Sequence, residues 1–454
     1  MRVRLGTLPA VRRQGGQLRS VGAFFRDRVG LVQPMKIRDF RLLWTGMFVS
    51  MAGDGFYYVA IAWQVYDLSN SPASLAGVGI AWSLPQVAIV PLAGVLADRV
   101  DRRFLMIAAD LIRATAIGTV GLLSITGQLT IPILVGLVVV FGAGQALFHP
   151  AFHSIVPEIV GPEMLVRANS VDQFVRPFAL MVVGPVIGGV VVEGLGAGWA
   201  FVADAGTFLW SAVLVAMIRT RPSRAREEHA SALQEALEGL RFVRRTRWLL
   251  ITMCASILSL FAVWGPWETL MPFVVRNDLG GSASDLSWVY FSGGVGAVLV
   301  AMTLGQRGTL PRRAMTVLYL VWASGMLGTA LFGVAQTQWH ARLAGFVTEA
   351  SIAALIVLWY SILQRLVPSK LLGRVTSLDW MITLAGVPLS FAAVGPLAEA
   401  LGADTTLILA GIVGGSITLL FMFIPGARDP ERDGSLAALA DDGEAVPDRS
   451  STLP

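Results

Sequence analysis

Gly94-Val95-Leu96-Ala97-Asp98-Arg99-Val100-Asp101-Arg102-Arg103 stands between two apolar runs, 74–96 and 104–126. An α-helix needs about 20 residues to cross a bilayer, and each run supplies that many. The connection is short and basic, so the two runs form a helical hairpin in lipid. The same alternation continues in both directions. Runs of spanning length lie at 41–66, 74–96, 104–126, 131–155, 167–193, 199–218, 248–275, 284–305, 313–334, 340–365, 375–398 and 405–424. Several contain Pro, as at Pro85, Pro91, Pro185 and Pro388. Membrane helices tolerate this because neighbouring helices satisfy the freed backbone groups.

Composition agrees. Of 454 residues, 55% are hydrophobic and only 14% charged, too few charges to cover a soluble surface of that size. The net charge of +5 does not indicate a nucleic-acid partner, because the basic residues lie between apolar runs, as membrane orientation requires. The single cysteine, Cys254, lies inside an apolar run, which excludes an internal disulfide. Metal-ligand spacing is missing.

Basic residues mark alternate connections: the N-terminal tail; Arg99, Arg102 and Arg103; Arg167; Arg219 to Arg247; Arg307, Arg312 and Arg313; and Arg365, Lys370 and Arg374. The opposite connections, 67–73, 127–130, 194–198 and 400–404, lack Lys and Arg. The positive-inside bias therefore predicts a multi-pass protein of the cell (inner/plasma) membrane with both termini cytoplasmic, which demands an even number of spans. The expected divisions are a basic cytoplasmic tail (1–40), a first six-helix bundle (41–218), a cytoplasmic linker (219–247), a second bundle (248–425) and a disordered cytoplasmic tail (426–454). In the linker, Leu233, Leu237, Leu240 and Val243 fall near one face, predicting an amphipathic helix along the membrane surface. Residues 1–39 carry no signal-peptide core. Met35 is itself a natural start, so residues 1–34 are read either as a basic extension or as lying upstream of the true start.

The two halves echo each other. Val156-Pro157-Glu158 corresponds to Val367-Pro368-Ser369, Arg167-Ala168-Asn169-Ser170 to Arg374-Val375-Thr376-Ser377, and Val183-Gly184-Pro185 to Val394-Gly395-Pro396. Glu193-Gly194-Leu195-Gly196-Ala197 corresponds to Glu399-Ala400-Leu401-Gly402-Ala403. Doubled six-helix halves place a substrate site near the midplane between them. The 94–103 connection resembles the signature loop of the major facilitator superfamily, Gly-x-Leu-Ala-Asp-Arg-x-Gly-Arg-Lys/Arg, with Asp101 in place of the usual Gly. The resemblance implies an all-α membrane protein with twelve transmembrane helices in two pseudo-symmetric six-helix bundles, the major facilitator fold. It also implies a conformational latch at Gly94, Asp98, Arg99, Arg102 and Arg103; plain positive-inside topology is the other reading of these arginines. The second-half counterpart, residues 305–313, has lost the Asp.

Gly184, Pro185, Gly188 and Gly189 resemble the end of a motif of proton-coupled antiporters; small residues here let helices approach closely. Asp39-Phe40-Arg41-Leu42-Leu43-Trp44, Gly53-Asp54-Gly55-Phe56, Ala109-Asp110-Leu111-Ile112-Arg113 and Leu372-Gly373-Arg374-Val375 resemble the exporter branch that includes the enterobactin exporter and macrolide efflux proteins.

A charge at mid-bilayer is costly and marks a functional candidate. Asp54, flanked by glycines in span one, and Glu349 in span ten are the proton-coupling candidates; a packing role is the alternative for Asp54. The substrate-cavity candidates are Arg176, Asp172, Trp82, Tyr57, Phe291 and Trp359. Asp172 and Arg176 are four apart and can pair, as can Asp110 and Arg113, three apart near the cytoplasmic boundary. Arg176 is the candidate contact for an anionic substrate group. Glu268 follows Trp264 and Trp267, which read as an interface belt, and Asp379 reads as a helix N-terminal charge. His149 and His153 lack a third ligand for a metal. No catalytic signature is present, so an enzyme is not expected. The expected function is a secondary active transporter: a proton-coupled exporter of a small amphipathic compound, working by alternating access, monomeric, with the proton gradient as energy source and no cofactor. A proton-coupled nutrient importer is the competing reading, and a non-transporting sensor a minor one.

Overall fold

In lipid every backbone N–H and C=O has to be satisfied within the segment itself, and each apolar run folds into helix accordingly. The computed structural model describes residues 33–219, 232–307, 310–434 and 436. Helix α1 (Arg38–Leu68) is followed by α2 (Pro72–Arg99), α3 (Arg102–Ile125) and α4 (Ile131–Val160). Then α5 (Pro162–Pro177) runs through a π-helical turn (Phe178–Val183) into α6 (Gly184–Leu195), and α7 (Ala197–Ala216) completes the first bundle. A linker helix, α8 (Ala232–Arg245), leads to α9 (Arg247–Phe273) with its π-helical end (Val274–Asp278), α10 (Ala283–Arg307), α11 (Ala314–Gly333), α12 (Gln338–Leu366), α13 (Ser369–Leu401) and α14 (Ala403–Phe423).

Among the described residues, eleven helical segments are long and apolar enough to cross a membrane, α5 to α6 counting as one. The 31-residue α1 makes the twelfth span. Its hydropathy is lowered by Asp54, Gln64, Asp67 and the charged first turn, and it is buried around most of its circumference. A helix that other helices surround has less need of a lipid-compatible surface. Twelve spans bring the start of α1 and the end of α14 to one end of the molecule, here called proximal; the other end is distal.

The bundles pack as pseudo-symmetric halves. Exchanging the halves turns span n into span n+6, so a contact of α2 with α13 has its counterpart in a contact of α6 with α10. Both occur. Gly79 on α2 faces the Phe391 ring on α13, and Gly189 on α6 faces Ser287 on α10. The distal turns obey the same symmetry. Gly196 and Gly402, paired in the sequence repeat, adopt φ 93° and 84° with ψ 160° in both. Only glycine takes such values without strain. Within each half the first helix also crosses span five or eleven at a glycine. A Cβ on Gly55 would lie 2.7 Å from Gly184 Cα, and one on Gly265 would lie 2.5 Å from Ser390 O.

The π-helical turn in span five precedes Gly184-Pro185, where Pro185 cannot donate a backbone hydrogen bond. Met181 and Val182 of this turn pack on Gly294 of α10, so the irregular backbone lies where the bundles meet.

One expectation needs correction. The tail from Gly426 does not begin unstructured. Asp429–Arg432 is helical, Glu431 accepts hydrogen bonds from Thr316 N and Oγ1 at 2.9 Å, and Ala427, Pro430 and Leu436 are buried. Asp101 makes the signature turn without a positive φ, as its residue type requires. It sits at φ −53° and caps α3 by accepting from Arg103 N at 2.9 Å, a role that Asp fills well and Gly cannot. The basic tail 1–32, linker residues 220–231, and residues 435 and 437–454 lie outside the described residues.

Candidate functional site

Helix α1 positions the central groups. Gly53 and Gly55 bring it against α7 and span five, which leaves Asp54 at the middle of the bundle. Two stretches singled out in the sequence, Gly53-Asp54-Gly55-Phe56 and Gly184-Pro185-Val186-Ile187-Gly188-Gly189, meet here. A Cβ on Gly184 would lie 2.5 Å from Ala52 O, and one on Gly188 would lie 2.8 Å from Phe56 Cα. The packing reading of that motif therefore holds within the first bundle, while Gly189 reaches across to the second.

Asp54 has charged neighbours on three other helices. Arg113 and Asp110 face it from α3, Asp204 from α7 and Arg176 from α5. The Asp110–Arg113 pair packs inside the bundle, with side-chain exposures of 0% and 2%. Arg113 also donates to Gln145 Oε1 at 2.8 Å and lies 4.3 Å and 4.2 Å from the Phe148 and Phe208 ring centres. Desolvating a guanidinium is costly, and this enclosure by carboxylate, amide and two π faces offsets the cost. Sequence reasoning misses Asp204. It is fully buried, accepts from Thr207 Oγ1 at 3.2 Å, and its Oδ2 has no hydrogen-bond partner among the described residues. Its signal is present in the sequence, as a lone acid in an apolar span.

Asp172 and Arg176 pair as expected, at 3.1 Å. Arg176 also faces His149, which lies 3.5 Å from Gln145 through Nε2, and His153 follows one turn along. Among the described residues no group of three His, Cys, Asp or Glu is placed to hold a metal.

A second acidic site lies across the interface. Glu349 on α12 packs against Gly293 of α10 and beside the Trp267 indole, and Glu268 on α9 faces it. Trp264, Trp267 and Glu268 therefore do not form a lipid-facing belt. Trp267 is buried, and Trp264 and Glu268 line a cavity. Tyr58, one turn after Asp54, connects the two sites. It is within electrostatic reach of Asp54, Glu268 and Glu349, lines the same cavity as Glu268, and has its ring 6.3 Å from that of Tyr290. Tyr58 and Glu268 each stand three residues beyond a crossing glycine, Gly55 in the first half and Gly265 in the second.

The cavity there is roughly 80 Å³, and its lining includes Tyr57, Tyr58, Trp82, Trp264, Tyr290 and Phe391. Of the sequence candidates, Tyr57 and Trp82 line it. Tyr57 also packs inside the first bundle, its ring 4.9 Å from Phe141. Phe291 points elsewhere, onto the exposed Trp288 at 5.1 Å, and its neighbour Tyr290 takes the cavity position. Trp359 is occupied toward the proximal end, donating from Nε1 to Asp379 Oδ2 at 2.9 Å and stacking edge-on with Trp248. Asp379 is thus a partner of Trp359 three turns into α13, not a helix-terminal charge.

At the distal end four hydrogen bonds tie the bundles. Tyr66 Oη donates to Thr269 O at 2.6 Å. Arg276 donates to Asp67 Oδ1 at 2.7 Å and to Trp63 O at 3.2 Å, and Ser282 Oγ donates to Glu193 Oε2 at 3.3 Å. At the proximal end, Arg102 pairs with Glu158 and Arg103 donates to Ala216 O at 2.7 Å. Both ties run within the first bundle. The side chains of Gly94, Asp98 and Arg99 lie outside those described. The exporter-like stretch Asp39 to Trp44 anchors α1, with Phe40, Leu43 and Trp44 buried and Asp39 accepting from Arg219 N at 3.0 Å.

Twelve spans in two pseudo-symmetric bundles, crossing at glycines around a small polar centre, define a transporter of the major facilitator fold. The family model described as transmembrane secretion effector, of the same superfamily, matches residues 29–434, and the chain belongs to that family. It is 27% identical to the multidrug efflux pump Tap of Mycolicibacterium fortuitum, over 83% of this chain and 93% of that protein. It is 24% identical to macrolide efflux protein A of Streptococcus pyogenes, over 82% and 92% of the two chains. Among solved structures, the nucleoside transporter NupG superposes with a TM-score of 0.68 at 13% identity, covering 85% of this chain and all 100% of a NupG mutant. The last likeness concerns the fold alone. The expected superfamily and its efflux relatives are therefore borne out, and the family is one of transporters, not enzymes.

Proposed function

We propose that this chain is a proton-coupled exporter of a small amphipathic compound, acting by alternating access. One observation carries the reading. The bundles meet at mid-span around a gap with a half-buried acid from the first half, Asp54, and two from the second, Glu268 and Glu349, beside an aromatic-lined cavity that Tyr58 and Glu268 share. Acids without an ion-pair partner at such depth are retained at a cost, and proton loading is the role that repays it. The efflux relatives support the outward direction. The basic connections at the proximal end support a cytoplasmic proximal face in the plasma membrane. In this reading Asp54 and Glu349 carry the proton, and the signature-loop residues Gly94, Asp98, Arg99, Arg102 and Arg103 steady the proximal face. A monomer suffices, since one chain supplies both halves of the gap, and the proton gradient supplies the energy without a cofactor.

Inside-out membrane vesicles from a strain lacking other pumps test this. A panel of amphipathic dyes is offered while the lumen is acidified. At least one dye should accumulate, and a protonophore should release it. Accumulation that ignores the gradient, or movement only in the opposite direction, would refute the proposal.

A further inference from the structure

The cavity between the bundles has an unbalanced chemistry. Its lining contains six aromatic residues, and Glu268 is its only charged member. Neither Lys, Arg nor His is among the lining residues. Glu268 has no ion-pair partner among the described residues, and the charge that faces it is a second carboxyl, Glu349. Arg276, two turns further along the same helix, is already held by Asp67 and Trp63. The indole N–H of Trp264, another lining residue, is buried without a hydrogen-bond acceptor among the described residues. So the site offers aromatic faces, one uncompensated carboxyl and one free donor.

An anion entering here would meet two acids and no counter-charge. A neutral apolar guest would leave the carboxyl as poorly matched as before. A cation satisfies both the carboxyl and the ring faces, since aromatic quadrupoles attract positive charge. The volume of roughly 80 Å³ suits a small alkylammonium head, not a whole drug-sized molecule. We infer that this cavity binds the ammonium head of an organic monocation, with Glu268 as counter-charge and Tyr58, Trp82, Trp264 and Tyr290 as the surrounding cage. The apolar remainder of the substrate extends into the gap between the bundles, and the Trp264 N–H meets an acceptor on it. This deepens the export reading, on which it rests, by naming the class of compound. It also displaces Arg176 as the primary substrate contact: that side chain is paired with Asp172 and is not among the cavity-lining residues.

Three probes of nearly one shape separate charge from size: phenyltrimethylammonium, tert-butylbenzene and benzenesulfonate. Binding to the full chain in lipid nanodiscs is followed by calorimetry. The ammonium probe should bind at least about tenfold more tightly than either of the others. Glu268→Gln should weaken it by about tenfold or more, and Glu268→Asp by less, in protein that stays monodisperse. Equal binding of benzenesulfonate or tert-butylbenzene to the unaltered chain would overturn the inference without recourse to any variant. So would an ammonium affinity indifferent to Glu268→Gln. Proteoliposome transport separates the two proposals. Binding through Glu268 without gradient-driven movement sinks export and keeps the site. Gradient-driven export of a neutral or anionic compound, unaffected by Glu268→Gln, sinks the cation class and keeps export.

Discussion

Replacing Arg276 with Gln should loosen the distal closure by a predictable amount. The Arg276–Asp67 pair spans the two bundles at 2.7 Å, with side-chain exposures of 25% and 48%. Solvent screening at that exposure limits an ion pair to about 0.2–1 kcal/mol. The guanidinium also lies 4.9 Å from the Trp63 ring centre, a contact contributing about 0.5–1 kcal/mol. Its 3.2 Å hydrogen bond to Trp63 O competes with water and adds at most about 1 kcal/mol. The terms share one side chain and overlap, so the expected loss is about 1–2 kcal/mol, a factor of about 5–30 in the ratio of distal-closed to distal-open molecules. Ala62 lines the cavity and is 2% exposed. As Ala62→Cys in a Cys254→Ser background, it should react with an impermeant maleimide only when the distal end opens. With reagent on the distal side, the labelling rate is proportional to the open population and should rise about 5–30-fold in Arg276→Gln. Asp67→Asn removes the ion pair alone and should give the smaller rise. A rate unchanged within about twofold, or one that falls, would show that these contacts do not hold the distal end shut.

Gly184→Ala sets a methyl 2.5 Å from Ala52 O and 2.7 Å from Gly55 Cα. Both obstacles are backbone, so a cost of about 1–3 kcal/mol is expected, seen as a lower thermal midpoint in detergent; an unchanged midpoint would contradict the close crossing. Arg113→Leu strands Asp110 at 0% exposure and should cost about 3–5 kcal/mol, so the variant should lose its monodisperse peak, which adding Asp110→Asn should largely restore. Asp54→Asn should abolish gradient-driven accumulation in inside-out vesicles while substrate still binds in nanodiscs; accumulation with unchanged proton dependence would remove Asp54 from the coupling. Gly189→Leu drives a side chain into Ser287, whose Oγ would lie 1.9 Å from a Cβ at position 189, and should raise Ala62→Cys labelling from the distal side by prying α6 from α10.

Much of the architecture is legible because the bilayer imposes a single-residue-type code on long segments. The alternation of apolar runs with basic turns yields the spans and their parity, and α1 is found by its length despite its low hydropathy. The Asp172–Arg176 pair is legible from helical spacing alone. Glu268 is not. Its place depends on which face of α9 turns inward, and that is decided by Gly265 crossing α13 at Ser390, a long-range contact with no local signature. Trp359 and Phe291 escape for the same reason: an aromatic in an apolar helix suits lipid, core and cavity equally well, and only packing selects among them. Asp204 escapes although burial of a lone acid is informative, because its neighbours Asp54 and Thr207 are ones that only the fold, or one helical turn, brings together with it.

The departure from symmetry at the centre carries more meaning than the symmetry. The count from the crossing glycines sets Tyr58 on α1 and Glu268 on α9 at matching places, three residues beyond Gly55 and Gly265. Likewise it sets Asp54 opposite Trp264, each one residue before its glycine. In the first half the acid therefore precedes the crossing and the aromatic follows it, and in the second half the order is reversed. Position 264 lines the cavity as position 268 does, whereas of the matching pair on α1 only Tyr58 lines it. The acid that follows its glycine, Glu268, therefore stands in the cavity with Tyr58 and Tyr290, and the acid that precedes its glycine, Asp54, has Arg113, Asp110 and Asp204 as charged neighbours. In the proposed exporter the first acid meets the guest and the second is kept apart from it.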